Sequence, residues 1–335
     1  MTEPLPDALS RPLRFAVVGA GQMGSNHLRI LSSLKDVELV AVVDPDRARG
    51  ETARARYGCE HLQDPLGLVG RVDAVCVASP SSSHAQVAGD LLEHGIHCLI
   101  EKPLATTESD CLALIAAAHD RGLVLLVGHV ERFNPVVQQL ERVLGQATVH
   151  AIDVRRMSSL SARITDIDVV GDLMVHDIDI VLAMSTANVE EVVARGVRTG
   201  GTAGAYVAAT ISFDDGSIAC LAASRITHNK IREMQVTADV GLVSANYLTQ
   251  ELLIHRQSEL SALRGAGGAD YVLDMAIERV HVRSTEPLLA ELEHFVRSVR
   301  GVEQPQVTGH DALRAMRVVW EIQEQLGLVL GSAHG

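Results

Sequence analysis

Residues 14–24, Arg-Phe-Ala-Val-Val-Gly-Ala-Gly-Gln-Met-Gly, set an apolar run directly against the spacing G-x-G-x-x-G, and a helical pattern follows over about 23–34. A buried strand that enters a helix through these three glycines has few folds open to it. Gly19 and Gly21 permit a tight turn and close approach of the backbone to a pyrophosphate, while Gly24 lets the helix pack on the strand. The first helical turn, with Gln22 and Met23, then offers orphan N–H groups and the positive end of the helix dipole to phosphate oxygens. Asp44 closes the second apolar run, 20 residues beyond Gly24. An acid there accepts ribose hydroxyls and repels a 2′-phosphate, which predicts NAD rather than NADP.

The same strand–helix rhythm continues to residue 128. Apolar runs at 14–19, 37–43, 74–78, 97–100 and 123–127 alternate with helical patterns at about 23–34, 46–57, 84–94 and 107–121. Runs that are continuous in Val, Ile and Leu indicate parallel strands covered on both faces. The expectation is an N-terminal Rossmann domain, a doubly wound parallel sheet over 13–128, behind a flexible tail at 1–12. From 129 the pattern changes to a helix at about 135–144, a strand at 147–156 and a helix at 171–184. Strand-like text follows from 189 to about 255, with Asp215-Gly216 as a hairpin turn. Residues 264–269 read as a loop, and amphipathic helices at about 286–299 and 311–326 close the chain. Residues 129–335 are therefore expected to form an α+β domain for substrate binding and oligomerisation: a large, mostly antiparallel open sheet with helices on one face. The uncovered face predicts a homodimer or homotetramer, which light scattering would measure.

Charge and composition narrow the function. The chain has 29 Lys and Arg against 42 Asp and Glu, a net charge of −13. That excludes nucleic acid and anionic membrane as partners, since both need a basic surface. Five scattered cysteines without a CxxC pair give no disulfide framework and no metal site. The first 14 residues hold three prolines and no apolar core, and no apolar stretch approaches the ~18 residues of a membrane span. A cytoplasmic protein is expected. Of the 29 basic residues only Lys35, Lys102 and Lys230 are lysines, so a retained lysine invites a chemical reason.

In open parallel sheets, ligands bind beyond the carboxyl ends of the strands. Three apolar runs end there in polar or turn-forming residues: Ser79-Pro80, Glu101-Lys102-Pro103 and Gly128-His129. Lys102 falls where a nicotinamide ring is expected, and its ammonium suits a developing alkoxide. His129 reads equally as a satisfied strand-end histidine or a substrate contact. Farther on, Asp172 and His176 share one face of a helix at i, i+4, while Asp177 and Asp179 fall on other faces as solvent or structural carboxylates. A histidine suits proton abstraction at neutral pH, and a nearby carboxylate can orient it. A metal reading of Asp172, His176 and His129 lacks a second tight ligand spacing, so no metal is expected.

Taken together, GAGQMG with Asp44, the run ASPSSSH, the tripeptide EKP and Asp172-x-x-x-His176 resemble the glucose–fructose oxidoreductase/inositol dehydrogenase (Gfo/Idh/MocA) family. The resemblance implies a nicotinamide-dependent oxidoreductase acting on a sugar or polyol, with NAD as cofactor and Lys102, Asp172 and His176 as catalytic residues. It implies cofactor contacts from Gly19, Gly21, Gln22, Met23, Gly24, Asp44, Ser79, Pro80, His84, Glu101 and Lys102. The segments GHVERFNP (128–135) and DLMVHDIDI (172–180) resemble the branch that includes UDP-N-acetylglucosamine 3-dehydrogenases. That narrower likeness implies a nucleotide-sugar held by His129, Arg132, Asn134, Arg156 and Arg163, and oxidation of a secondary hydroxyl at C3. Other readings stay open: a different sugar or inositol-type dehydrogenase, an NAD-dependent redox-neutral glycosidase, or a non-catalytic nucleotide sensor.

Overall fold

The computed structural model describes residues 11–159, 168–199, 202–257, 261–265, 268–272 and 275–328. Within it the chain divides into two compact units, residues 1–133 with 286–314, and residues 134–285 with 315–335.

The first unit is built on six parallel strands: β1 (Leu13–Val18), β2 (Val37–Val43), β3 (Glu60–Leu62), β4 (Ala74–Val77), β5 (His97–Glu101) and β6 (Leu125–Gly128). Their order is β3-β2-β1-β4-β5-β6. Every residue of β4 and β6 is buried, which is why these strands read as unbroken apolar runs. Helices α1 (Gln22–Leu31), α2 (Arg47–Tyr57), α3 (His84–Glu93) and α4 (Glu108–Asp120) form the crossovers. Val18 pairs with both Val43 and Val77. Gly19, Asp44 and Ala78 therefore leave the sheet side by side, at the point where the strand order reverses. That crevice is where such folds hold ligands.

The second unit begins with α5 (Pro135–Leu144) and β7 (Val149–Met157). A wide π-helical turn (Val170–Met174) then runs straight into α6 (Val175–Met184). Strands β8 (Val189–Thr199), β9 (Thr202–Phe213), β10 (Ile218–Ser224), β11 (Ile231–Ala238), β12 (Gly241–Asn246) and β13 (Glu251–Gln257) follow, then a separate hairpin of β14 (Ser261–Gly265) and β15 (Gly268–Val272), and β16 (Met275–Val280). The large sheet has the order β16-β13-β12-β11-β7-β10-β9-β8, and only the β7–β10 pair is parallel. Alternation buries Val207, Ala209, Ile211 and Phe213 of β9 and Met234, Val236 and Ala238 of β11 in one core with α5 and α6. The Asp215-Gly216 turn forms as read, with Gly216 N–H donating to Phe213 O at 2.9 Å and Gly216 at φ +84°.

Four expectations need correction. β3 escapes the sequence pattern because three residues, Glu-His-Leu, carry no apolar period. The loop read at 264–269 is largely the β14–β15 hairpin, paired Arg264 to Ala269 and Gly265 to Gly268. The tail is anchored earlier than 13, since Arg11 makes an ion pair with Asp73 at 2.8 Å, although residues 1–10 lie outside the described residues. The largest change concerns the domain boundary. Residues 286–314, assigned above to the second domain, belong to the first unit. Helix α7 (Pro287–Val299) places Leu288, Leu292, Phe295 and Val296 in the core of Phe15, Val17, Leu28 and Leu99, and the Phe295 ring meets Phe15 edge-on at 5.7 Å. An amphipathic stripe records that a helix buries one face, and is silent about which sheet it returns to. α8 (Gly309–Gln325) closes the chain, and Ala315, Met316, Val319 and Ile322 join the second core.

Candidate active site

The three loop glycines do different jobs. Gly19 has φ +99°, and a Cβ there would lie 2.6 Å from Ala78 O. A Cβ on Gly24 would fall 1.7 Å from Gly19 O. Packing of the protein against itself accounts for both. Gly21 differs, because a Cβ there would meet no atom within 4 Å. Nothing in the fold demands glycine at 21, whereas a pyrophosphate approaching the backbone does. Gly21 is also the N-cap of α1 and provides no side-chain cap, which leaves the first N–H groups of that helix for an anion. The residues fit a dinucleotide.

Asp44 is buried at the end of β2. Its Oδ2 accepts from Ala20 N–H at 2.8 Å, its Oδ1 accepts from Asp46 N–H at 2.8 Å, and Arg49 stands 3.5 Å away. The acid that was read as a ribose acceptor thus also ties the glycine loop to β2. Ser79 and Pro80 follow β4, with the hydroxyls of Ser79 and Ser83 2.8 Å apart. His84, expected as a cofactor contact, is fully buried, with Nδ1 2.8 Å from Pro103 O and Nε2 2.9 Å from Ser79 O. Both ring nitrogens are engaged in joining the loops after β4 and β5. Glu101 also turns inward, toward His27 of α1, with Oε1 and Nε2 2.8 Å apart. Lys102 follows at the strand end, partly exposed, and its peptide bond to Pro103 is cis. His129 and Arg132 are buried just beyond β6.

In the second unit Asp172 lies in the π-helical turn and His176 in the first turn of α6, both partly exposed. The sequence reading missed Arg225. It follows β10 directly, and its Nη2 donates to Asp172 Oδ2 at 2.8 Å and to Asp168 O at 3.4 Å. A charged residue just past the apolar run of β10 was the available signal, the same strand-end rule that selected Lys102. Two residues read as substrate contacts are engaged inside the unit. Arg156 forms a two-pronged ion pair with Asp177, Nε to Oδ2 at 2.6 Å and Nη2 to Oδ1 at 2.7 Å, with each side chain only 3% exposed. Asn134 is buried, and its Oδ1 caps α5 by accepting from Val136 N–H at 3.2 Å. Arg163 lies outside the described residues. Among the described residues no group of three His, Cys, Asp or Glu side chains is placed to hold a metal ion, and no helix is long and apolar enough to cross a membrane.

Comparison with known proteins decides the family. Residues 13–129 match the profile described as "Oxidoreductase family, NAD-binding Rossmann fold", and residues 160–244 match "GFO/IDH/MocA C-terminal domain". The UDP-N-acetylglucosamine 3-dehydrogenase of Acidithiobacillus ferrooxidans is 31% identical over 287 residues, 86% of this chain and 88% of that one. The chain belongs to the Gfo/Idh/MocA family. A solved structure of the Acidithiobacillus enzyme superposes with a TM-score of 0.86 at 28% identity, covering 94% of this chain and 98% of that one. An inositol 2-dehydrogenase from Rhizobium meliloti is 24% identical over 91% of this chain and 94% of its own.

As a member of the Gfo/Idh/MocA family this chain is an NAD-dependent oxidoreductase. The Gly21 turn and the α1 N-terminus are the groups that would hold a pyrophosphate, and Asp44 the one that would accept ribose hydroxyls. Asp44→Ser is expected to narrow the preference for NAD⁺ over NADP⁺ by about tenfold, ~1.4 kcal/mol. It should weaken NAD⁺ binding as well, since the glycine loop loses its tie at Ala20. Calorimetric titration with both nucleotides checks this; an unchanged ratio would remove Asp44 from cofactor selection.

Proposed function

We propose that this chain oxidises the C3 hydroxyl of a nucleotide-sugar, UDP-N-acetylglucosamine or a close analogue, to the keto-sugar. The observation that carries this reading is the similarity to the Acidithiobacillus enzyme along nearly the whole chain. His176 takes the proton from the hydroxyl, a task that suits an imidazole at neutral pH. The Lys102 ammonium hydrogen-bonds the alkoxide as it develops, stabilising its charge and sharing a proton with it. Asp172, fixed by Arg225, orients the histidine or a neighbouring sugar hydroxyl. When bound, NAD⁺ supplies the hydride acceptor.

One observation favours a second reading. Arg156 and Asn134 are committed to Asp177 and to the cap of α5, which removes two groups from the set that would hold a diphosphate. A smaller, uncharged polyol such as an inositol needs no such groups. The two readings separate when the purified protein and NAD⁺ are offered UDP-N-acetylglucosamine, free N-acetylglucosamine and myo-inositol. Stoichiometric NADH with the first alone is expected. NADH from myo-inositol and none from the UDP-sugar would overturn the nucleotide-sugar reading. Sugar release without NADH would indicate a redox-neutral glycosidase instead.

A further inference from the structure

Glu291 sits in the middle of α7, fully buried beside Leu288, Leu292 and Phe295 in the core that α1 and α7 share with the first sheet. Among the described residues neither of its carboxyl oxygens has a hydrogen-bond partner. A buried acid without donors or a cation cannot keep a negative charge cheaply. Strand alternation brings a second acid to the same patch. Leu99 and Leu126 face this core, and Glu101 and Gly128 stand two residues further along β5 and β6, on the same side. A Cβ on Gly128 would lie 3.1 Å from the Glu101 carboxyl carbon, so the glycine makes room for that carboxylate.

Glu101 is the end residue of β5 and precedes Lys102. Its partner His27 belongs to α1, the helix that opens at the glycine loop. The His27–Glu101 bond therefore joins the helix under the dinucleotide to the strand end that carries the lysine. Among the described residues His27 Nδ1 is buried without a partner, and Nε2 makes the one hydrogen bond of this ring.

We propose that Glu291 holds a proton at neutral pH, leaves Glu101 as the one carboxylate facing His27, and is thereby a positioning residue for the dinucleotide loop and for Lys102. Burial, and then the Glu101 charge, push the Glu291 carboxyl well above its ordinary range. The Cys76 thiol, on β4, is likewise pushed up by burial and by Glu291 and Glu101, which places all three in one patch. The titratable and charged groups on α1, β4, β5 and the short turn Val130–Phe133, the elements around Glu291, are His27 and Arg29, Cys76, His97, Cys98 and Glu101, and Glu131 and Arg132, with Arg29 paired to the exposed Glu286. On α7 itself His294 lies one turn along and is occupied by Glu303 at 2.8 Å. Ionising Glu291 would set two carboxylates in one apolar pocket to compete for His27, and the tie from α1 to β5 would loosen.

The direction with pH follows from the raised value. In the unfolded chain the Glu291 proton leaves near 4.5, whereas the native state retains it. Its contribution to stability is complete below that value and is lost progressively as pH rises toward the native one. Glu291→Gln keeps the neutral state at every pH. Relative to this variant, the natural protein should lose melting temperature steadily from pH ~5 into the alkaline range. Its affinity for NAD⁺, read by calorimetry, should weaken about tenfold between pH ~7 and ~9.5, while that of Glu291→Gln changes less than about twofold. The infrared band of a neutral carboxylic acid should be present in the natural protein at neutral pH and absent from Glu291→Gln. Should the variant not fold, loss of that band from the natural protein at alkaline pH, alongside the fall in affinity, makes the same test. Absence of the band at neutral pH would overturn the trapped proton. Parallel NAD⁺ affinity profiles for the two proteins would overturn the positioning role even if the melting temperatures diverge.

Discussion

Lys102→Ala and His176→Ala are each expected to lower kcat by roughly 10²–10⁴-fold, the usual range for a positioned acid–base group. NAD⁺ affinity should hold, because the Gly21 turn and Asp44 are untouched. Lys102→Arg is the sharper experiment. The chain uses arginine for 26 of its 29 basic residues, so its tolerance for guanidinium elsewhere is plain. At Lys102 a guanidinium is wider, planar and always protonated, and cannot exchange a proton with an alkoxide as an amine can. Lys102→Arg should therefore fail nearly as badly as the alanine variant. Lys230→Arg, at an exposed position before β11, is the control and should be silent. Steady-state NADH formation on the best sugar decides the matter. Wild-type turnover by Lys102→Arg would reduce the lysine to a source of positive charge.

The strand-end position of Lys102 was legible for the same reason that most of the first sheet was. Parallel strands buried on both faces announce themselves as unbroken apolar runs, and a ligand edge shows as the point where such a run turns polar. The glycine loop was legible to the level of individual residues, although only the structure separates Gly19 and Gly24, which the fold requires, from Gly21, which it does not. Patterns of this kind are local. They could not place α7 on the first sheet, because Phe295 meets Phe15 across 280 residues of chain. Nor could they show that His84 spends both ring nitrogens on Ser79 and Pro103, or that Arg225 reaches Asp172. A polar side chain at a strand end has the same sequence signature whether it faces a ligand or a partner within the protein. Only its neighbours in space separate the two.

Arg156 puts that distinction to the test. As a substrate contact its loss would raise KM and leave the fold alone. As half of a buried pair its loss strands the Asp177 carboxylate, which is 3% exposed, without its cation. Arg156→Ala is then expected to destabilise the protein by roughly 3–5 kcal/mol. At about 2–4 °C of melting temperature per kcal/mol for units of this size, the drop should be on the order of 10 °C. The guanidinium also lies over the Tyr247 ring, 5.8 Å from its centroid, so some packing goes with the charge. Asp177→Ala should be damaging for the converse reason, leaving an unpaired guanidinium between β7 and α6. The double variant Arg156→Met/Asp177→Leu removes both charges and refills the volume. It should recover most of the lost stability, because exchanging a whole buried ion pair for apolar groups is often neutral or better. Thermal melts of the three variants, with KM for the best sugar measured alongside, separate the alternatives. A raised KM at an unchanged melting temperature would return Arg156 to the substrate, whereas stability lost in each single variant and regained in the double one fixes it as the internal clamp between β7 and α6 beneath His176.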